Sequence, residues 1–265
     1  MGPLAHTKKI TVEMLGIKVH PVILDNLERL IADCTAKKWI FANHNLHSIY
    51  LFHQDEKMRR FYAQADLILI DGMPIVWIAR LLGYGVSRKN RLATLDWLFT
   101  ILEECANKKL RVFLLGSKPS VAEKAAAIFS REIPELKIDF HHGYFDANPS
   151  SNDNFEVVDR INQFETNILL VGMGMPRQEH WILDNIDQLN INVAWSNGGF
   201  MDYFAGEQTL PPRWLGQLGL EWLFRLLSNP KRLWRRYLLE PWFVLKLVIC
   251  DFFEKKILIN KKTEN

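Results

Sequence analysis

The chain has 265 residues, 48% of them hydrophobic and 24% charged, which supplies a sizeable core and excludes a disordered protein. Its net charge of +3 is too small to mark a nucleic-acid binder. Three cysteines, Cys34, Cys105 and Cys250, show neither disulfide-framework nor zinc spacing, which fits a reducing compartment with the cytoplasm as default.

Residues 1–7 carry no apolar core of signal-peptide length, so export is not expected. A membrane span needs roughly 18–20 uninterrupted apolar residues. The nearest stretch, residues 242–253, is broken by Lys246 and Asp251.

Residues 11–19, with Gly16 inside, read as a hairpin or two short strands, and residues 22–34 have helical spacing at Val22, Ile23, Leu27, Leu30 and Ile31. A buried strand over 39–42 runs into Asn43, His44 and Asn45, polar groups at the kind of strand end where α/β sheets place binding residues. Either asparagine serves equally well as a cap for a helix over 46–63. The apolar run 67–70, preceded by Asp66, then delivers Asp71, followed by Gly72 and a helix over 74–82. Asp71 has two readings: a general base for a sugar hydroxyl, or a helix N-cap.

The basic loop 83–93, with Arg88, Lys89 and Arg91, is either solvated surface or a phosphate contact. A helix over 94–106, a strand over 110–115 ending at Gly116 and Ser117, and a helix over 120–131 repeat the strand, glycine, helix unit. A strand over 139–145 contains His141 and His142, whose side chains would point to opposite faces and make a poor metal pair. A polar turn over 147–153 and a helix over 155–164 lead to the strand 167–171, which ends at Gly172-Met173-Gly174-Met175-Pro176-Arg177-Gln178-Glu179.

There the two glycines permit positive φ or close approach of a ligand, Pro176 suits a helix's first turn, and unpaired N–H groups attract anions. Arg177, Gln178 and Glu179 are expected to project from the helix start. An ordinary strand-to-helix connection is the alternative, and the pattern is not GxGxxG, which disfavours a dinucleotide. The last strand, 192–196, ends at Asn197-Gly198-Gly199-Phe200.

This alternation predicts an α/β fold, a Rossmann-like, mostly parallel sheet with helices on both faces, over residues 1–210. Residues 211–265 differ, being rich in tryptophan, leucine and arginine, with Trp214, Trp222, Trp234 and Trp242 and with Arg225, Arg232, Arg235 and Arg236. They predict a helical, basic C-terminal appendage, broken at Asn229-Pro230 and again at Glu240-Pro241. Such helices lie on a bilayer, close over an anionic ligand, or pack on the core with solvated cations.

Taken together, the residues resemble the WecG/TagA/CpsF family of bacterial glycosyltransferases. The matching blocks are Asp71-Gly72 after its apolar strand, Val112 to Gly116, His142-Gly143-Tyr144-Phe145, Val171 to Glu179, Asn197 to Asp202, Gly219 to Leu226, and Pro230 to Tyr237. The resemblance implies inverting transfer of a hexose or N-acetylhexosamine-type sugar from a UDP-sugar to a polyprenyl-diphosphate-linked saccharide. It places the protein peripherally on the inner face of the plasma membrane, in cell-surface or exopolysaccharide biosynthesis. Asp71 stands at the family's catalytic base, Gln178 matches an active-site glutamine, and Asn43 stands where many members carry threonine, two residues before the matching Asn45. Gly72, Gly116, Gly143, Gly172, Gly174, Arg177 and Glu179, in or beside the matched blocks, are expected around the substrates, and Arg225, Arg232 and Arg235 match arginines of the family's appendage. Departures include Pro74 where glycine is common after the Asp-Gly pair, Ala93 or Thr94 where a glycine precedes Asp96, and Leu210-Pro211-Pro212 in place of Arg-Ala-Pro. The last removes a positive group, so the resemblance fixes reaction class better than sugar specificity.

Inverting transfer needs a base for the acceptor hydroxyl and cations or N–H donors for the departing diphosphate. Asp71 and the arginines meet those needs, no Asp-x-Asp motif is present, and a reaction without metal or cofactor is expected. The expected partners are a UDP-sugar, the lipid-linked acceptor and an anionic membrane surface, with no nucleic acid. Each basic residue near such a surface contributes on the order of 1 kcal/mol. Away from membrane, an exposed apolar tail leaves self-association open. Two other readings compete: a nucleotide-sugar epimerase or dehydrogenase, and a non-enzymatic membrane-associated nucleotide-binding protein.

Overall fold

The computed structural model describes residues 11–33, 37–212, 215 and 219–263, with side chains described for 11–31, 37–212, 215 and 219–254. Cys34, Arg213, Trp214, Leu218 and the first ten residues lie outside them.

Two short antiparallel strands, β1 (Val12–Met14) and β2 (Ile17–Val19), form the expected hairpin, turning at Leu15 and Gly16 with φ of 53° and 72°. Helix α1 (Leu24–Asp33) follows. The main sheet has six parallel strands in the order β4-β3-β8-β7-β5-β6, formed by β3 (Trp39–His44), β4 (Leu67–Ile70), β5 (Arg111–Gly116), β6 (Lys137–His141), β7 (Ile168–Gly172) and β8 (Val193–Ser196). Its central strands are apolar on both sides because both faces are covered. In β4, for example, Ile68 and Ile70 enter one core cluster while Leu67 and Leu69 enter the other.

The intervening helices are α2 (Leu46–Gln54), α3 (Glu56–Gln64), α4 (Met73–Leu81), α5 (Thr94–Asn107), α6 (Pro119–Glu132), α7 (Asn152–Gln163), α8 (Arg177–Asn185) and α9 (Phe200–Phe204). They divide between the two faces. Helix α6 packs on one face through Val121, Ala122 and Phe129, whereas α8 packs on the other through Trp181 and Ile182. These helices leave neighbouring strands, β5 and β7, so a crevice opens between the two strand ends, the usual ligand position in such sheets.

The structure departs from the sequence-based elements in three places. A single helix over 46–63 is broken at Asp55, whose extended backbone (φ −125°, ψ 119°) and carboxylate cap α3 by accepting the Lys57 and Met58 N–H groups at 2.7 and 3.2 Å. The strand expected over 139–145 ends at His141, so His142 is no longer subject to strand alternation; the two imidazoles lie 4.4 Å apart instead of on opposite faces. No break occurs at Pro241.

The tail comprises α10 (Glu221–Ser228), α11 (Pro230–Trp234), a π-helical turn (Arg235–Leu239) and α12 (Glu240–Thr263). Asn229 separates α10 from α11, as expected. The π turn, in which Glu240 N–H bonds the Arg235 carbonyl, runs directly into α12, and its wider ring accommodates Pro241, which has no N–H to donate. Val244 and Val248 of α12 are buried in the core, Phe243 packs edge-on to Tyr50, and the Leu15 N–H of the hairpin donates to Asp251 at 3.1 Å. The opposite side of the tail exposes Leu238, Trp242 (70% exposed), Leu245, Ile249 and Phe253. Among the described residues no helix is long and apolar enough to cross a membrane.

Candidate active site

Two cavities open where the C-terminal edge of the sheet meets the tail. The larger, about 550 Å³, is floored by the loops after β5, β6, β7 and β8, including Ser117, Gly143, Gly172, Gly174, Arg177 and Asp202. The smaller, about 330 Å³, holds Asn45, Asp71, Gly72, Met73, Pro74 and Arg91 on the sheet side, facing Glu221 and Trp222 of the tail. Arg225, Arg236 and Tyr237 line both cavities and form the wall between them.

Asp71 reaches the smaller cavity because β4 ends one residue earlier and its backbone N–H is held by the His44 carbonyl at 2.9 Å. It is not the cap of α4; Gly72 occupies that position without a side-chain bond. The capping alternative therefore falls away. Among the described residues, Asp71 has one side-chain partner, the Asn45 amide at 3.1 Å. Asn45 fills the capping role: its side-chain oxygen accepts from Ser48 N–H at 3.1 Å in a capping box, while its NH₂ turns to Asp71. A half-buried carboxylate with a spare oxygen at a cavity wall can accept a proton from a bound hydroxyl.

Above it stand the cations. Burial weakens the charge on Arg225, but Tyr203, Tyr237, Asp71 and Glu221 outweigh it and hold the guanidinium above its ordinary pKa. Among the described residues its Nε has no hydrogen-bond partner, and the group lies 5.2 Å over the Tyr203 ring. Burial depresses Arg236, Tyr237 and Asp71 oppose that, and Arg225 adds to the depression; its guanidinium is 3.5 Å from the Asn45 oxygen. Two half-buried guanidiniums beside one carboxylate are a site for added negative charge.

Contacts beside the cavities help to seat the tail. Arg91 bonds Asp96 at 2.9 Å and Glu221 at 2.8 Å, His47 meets Glu240 at 2.7 Å, and the Gly219 backbone, at φ +73°, lies against the Trp77 ring. An added Cβ at Gly219 would approach the indole to 2.7 Å.

Comparison with known proteins places the chain in a family. A model of the glycosyl transferase WecG/TagA/CpsF family matches residues 12–257. The chain belongs to that family. Two relatives, from Staphylococcus aureus strains MW2 and NCTC 8325 / PS 47, are 27% identical over 208 residues, covering 75% of this chain and 79% of theirs. Each is named N-acetylglucosaminyldiphosphoundecaprenol N-acetyl-beta-D-mannosaminyltransferase. This WecG/TagA/CpsF chain is accordingly a glycosyltransferase.

Within it, the residues singled out from sequence sort into three groups. Asp71, Asn45, Gly72 and Arg225 line the smaller cavity, and Gly143, Gly172, Gly174, Arg177, Arg225 and Arg232 line the larger. The others lie elsewhere. Asn43 is buried and spans strands, donating to the Ser196 carbonyl at 3.0 Å and accepting from Trp195 at 3.3 Å. Gln178 and Glu179, expected to project from the start of α8, are fully buried beneath the floor. Gln178 takes up the Gly174 and Gly198 N–H groups, at 3.2 and 3.0 Å, so these donors are not offered to an anion. Gly116 lies outside both cavity linings and is glycine for packing: at φ +149°, an added Cβ would overlap the Gly172 carbonyl. Arg235 is exposed and stacks over Trp234 at 5.3 Å, away from both cavities.

Its neighbour Arg236, not among the residues picked as site candidates, takes the inner place. Arg232 and Arg236 stand four residues apart, a spacing that suits one face of a helix, whereas Arg235 is offset from Arg236 by one position, about 100° on an ideal helix. That spacing was the available signal. Arg91 and Glu221 also line the smaller cavity, and no sequence pattern pairs them.

Proposed function

We propose that this glycosyltransferase moves a sugar, with inversion, from a UDP-sugar to a polyprenyl-diphosphate-linked saccharide. The nucleotide occupies the larger cavity over the glycine loops, the acceptor sugar enters the smaller one, and the donor diphosphate lies at the shared wall of Arg225 and Arg236. As the acceptor oxygen attacks the anomeric carbon, its proton passes to Asp71. The bond from that carbon to the diphosphate breaks, and UDP leaves with the electron pair, its new charge held by the two guanidiniums. Asn45 fixes the carboxylate so that one oxygen stays free for the hydroxyl. The observation that carries this reading is the joint lining of one cavity by Asp71, Arg225 and Arg236.

The exposed apolar side of the tail then faces the lipid that bears the acceptor, with the protein peripheral at the inner face of the plasma membrane. The relatives' names direct the first assays to N-acetylmannosamine as the sugar and N-acetylglucosamine on the lipid diphosphate as the acceptor. Leu210-Pro211-Pro212 makes a wider donor screen worthwhile. UDP release should be measured for a set of UDP-sugars with a lipid-linked N-acetylglucosamine acceptor. One pair should support acceptor-dependent release; if no UDP-sugar does, and UDP itself does not bind, the reading fails.

A further inference from the structure

We propose that Glu179 is a positioning residue: through Gln178 it clamps the β7–α8 and β8–α9 turns together and so shapes the floor on which the nucleotide rests. The inference depends on the assignment of the larger cavity to the nucleotide.

Gln178 is fully buried, and each end of its amide is engaged. The oxygen accepts two backbone donors, Gly174 N–H at 3.2 Å and Gly198 N–H at 3.0 Å, one from each turn. The nitrogen donates to Glu179 at 2.6 Å. An amide can sit either way round, and only one orientation presents an acceptor to two N–H groups. Glu179 reinforces it, because in the other orientation the carboxyl oxygen would face the amide oxygen while both backbone N–H groups faced the amide NH₂. Gly174 lines the larger cavity, as does Gly199 next to Gly198, so the clamp lies immediately beneath the bound ligand's position.

The arrangement is costly in itself. Glu179 is fully buried, its second oxygen has no hydrogen-bond partner within range among the described residues, and burial outweighs the opposing influence of Gln178 and the Ser196 hydroxyl to push the carboxyl up to about 7. A well-packed apolar side chain at such a place is commonly as stable or more so. What the carboxylate adds here is direction to the neighbouring amide. The two turns also touch without it: an added Cβ at Gly172 would come within 2.6 Å of the Gly198 carbonyl. Loss of the clamp should therefore loosen the floor rather than unfold the domain.

The test uses Glu179→Met, which keeps the volume and removes the acceptor, Glu179→Gln, which keeps an acceptor oxygen, and Gln178→Met, which removes the clamp. Hydrogen exchange at Gly174 and Gly198 is followed in the unliganded protein, together with UDP affinity and steady-state kinetics. Glu179→Met and Gln178→Met should each raise exchange at both amides and weaken UDP by about tenfold, the worth of a hydrogen bond to a charged group. Donor KM should rise with acceptor KM unchanged, and Glu179→Gln should recover most of the loss. Should Glu179→Met not fold, Glu179→Leu takes its place, with Gln178→Met still testing the clamp. Unchanged exchange at both amides overturns the clamp, and so does a uniform fall in kcat with donor KM intact. If the wild type binds no UDP, the nucleotide assignment falls, while the exchange data still judge the clamp.

Discussion

The floor and the roof of the site are built on opposite plans. In the floor, Gly116, Gly143 and Gly172 bring strand-end backbones into contact, and Gln178 spends its amide holding two turns. In the roof, among the described residues, Arg225 Nε has no partner and Arg236 makes a long 3.5 Å approach to Asn45. The floor ties its turn backbones together through Gln178 and supplies shape; the roof is short of negative charge and supplies attraction. A diphosphate answers the second need without disturbing the first. Asp71 stands between them, anchored by the sheet and facing the cations.

The comparison is tested hardest at Asp71. Replacing a positioned general base costs on the order of 10²–10⁴ in rate, so Asp71→Asn should lose transfer by about that factor while UDP affinity and the melting temperature stay near wild type. Near-normal turnover would remove Asp71 from the chemistry. The roof comes next: Arg225→Ala and Arg236→Ala should each lower kcat by on the order of 10²–10³, as for loss of one group stabilising developing charge. Arg235→Ala should leave kcat close to wild type. If Arg235→Ala matched Arg236→Ala, the face assigned to the roof would be the wrong one.

Protons sharpen the contrast further, because the floor buries a carboxyl. Glu179 is raised from 4.5 to about 7 by burial, so between these values the folded protein holds a proton that the unfolded chain has released. Its favourable contribution is present below pH 4.5 and is lost as pH rises through 7, amounting to about 3 kcal/mol. His44, depressed to about 3 by burial and then by His53, acts in the opposite sense, its contribution lost as pH falls below 6.5. Subtracting the stability of Glu179→Gln from that of wild type removes the histidine. That difference, from urea melts between pH 4.5 and 8, should fall steadily with pH; a flat line would mean that Glu179 ionises normally.

Much of this architecture is legible in the chain itself. Apolar runs such as Leu67–Ile70 and Ile168–Gly172, each followed by glycine and a helical stretch, give the parallel sheet because strand and helix periodicities differ. Asp71 is placed by the end of its strand. What cannot be read so directly depends on contacts distant in sequence. Gln178 and Glu179 follow a proline at a helix start and look exposed; only the packing of α8 on the sheet buries them. Arg235 and Arg236 are adjacent and chemically alike, and the docking of the tail decides which one turns inward. Asp55 breaks a helix that periodicity runs through, because its carboxylate also meets His180 at 2.8 Å.

The smallest expected effects separate two reasons for glycine within the floor. Gly172 lacks a side chain because of its neighbours: an added Cβ would come within 2.6 Å of the Gly198 carbonyl and 2.9 Å of Met201. Gly174 lacks one because of its own backbone, at φ +81° with nothing within 4 Å of an added Cβ. Gly172→Ala should therefore force β7 and β8 apart at their ends and cost about 1–3 kcal/mol, as overpacking does. Gly174→Ala should cost nearer 1 kcal/mol, the lower end of the penalty for an L-residue in the left-handed region. Thermal melts rank the two in stability. If Gly174→Ala nonetheless weakened UDP more than Gly172→Ala, a ligand would be approaching that open backbone, and the shape of the floor would matter there by direct contact.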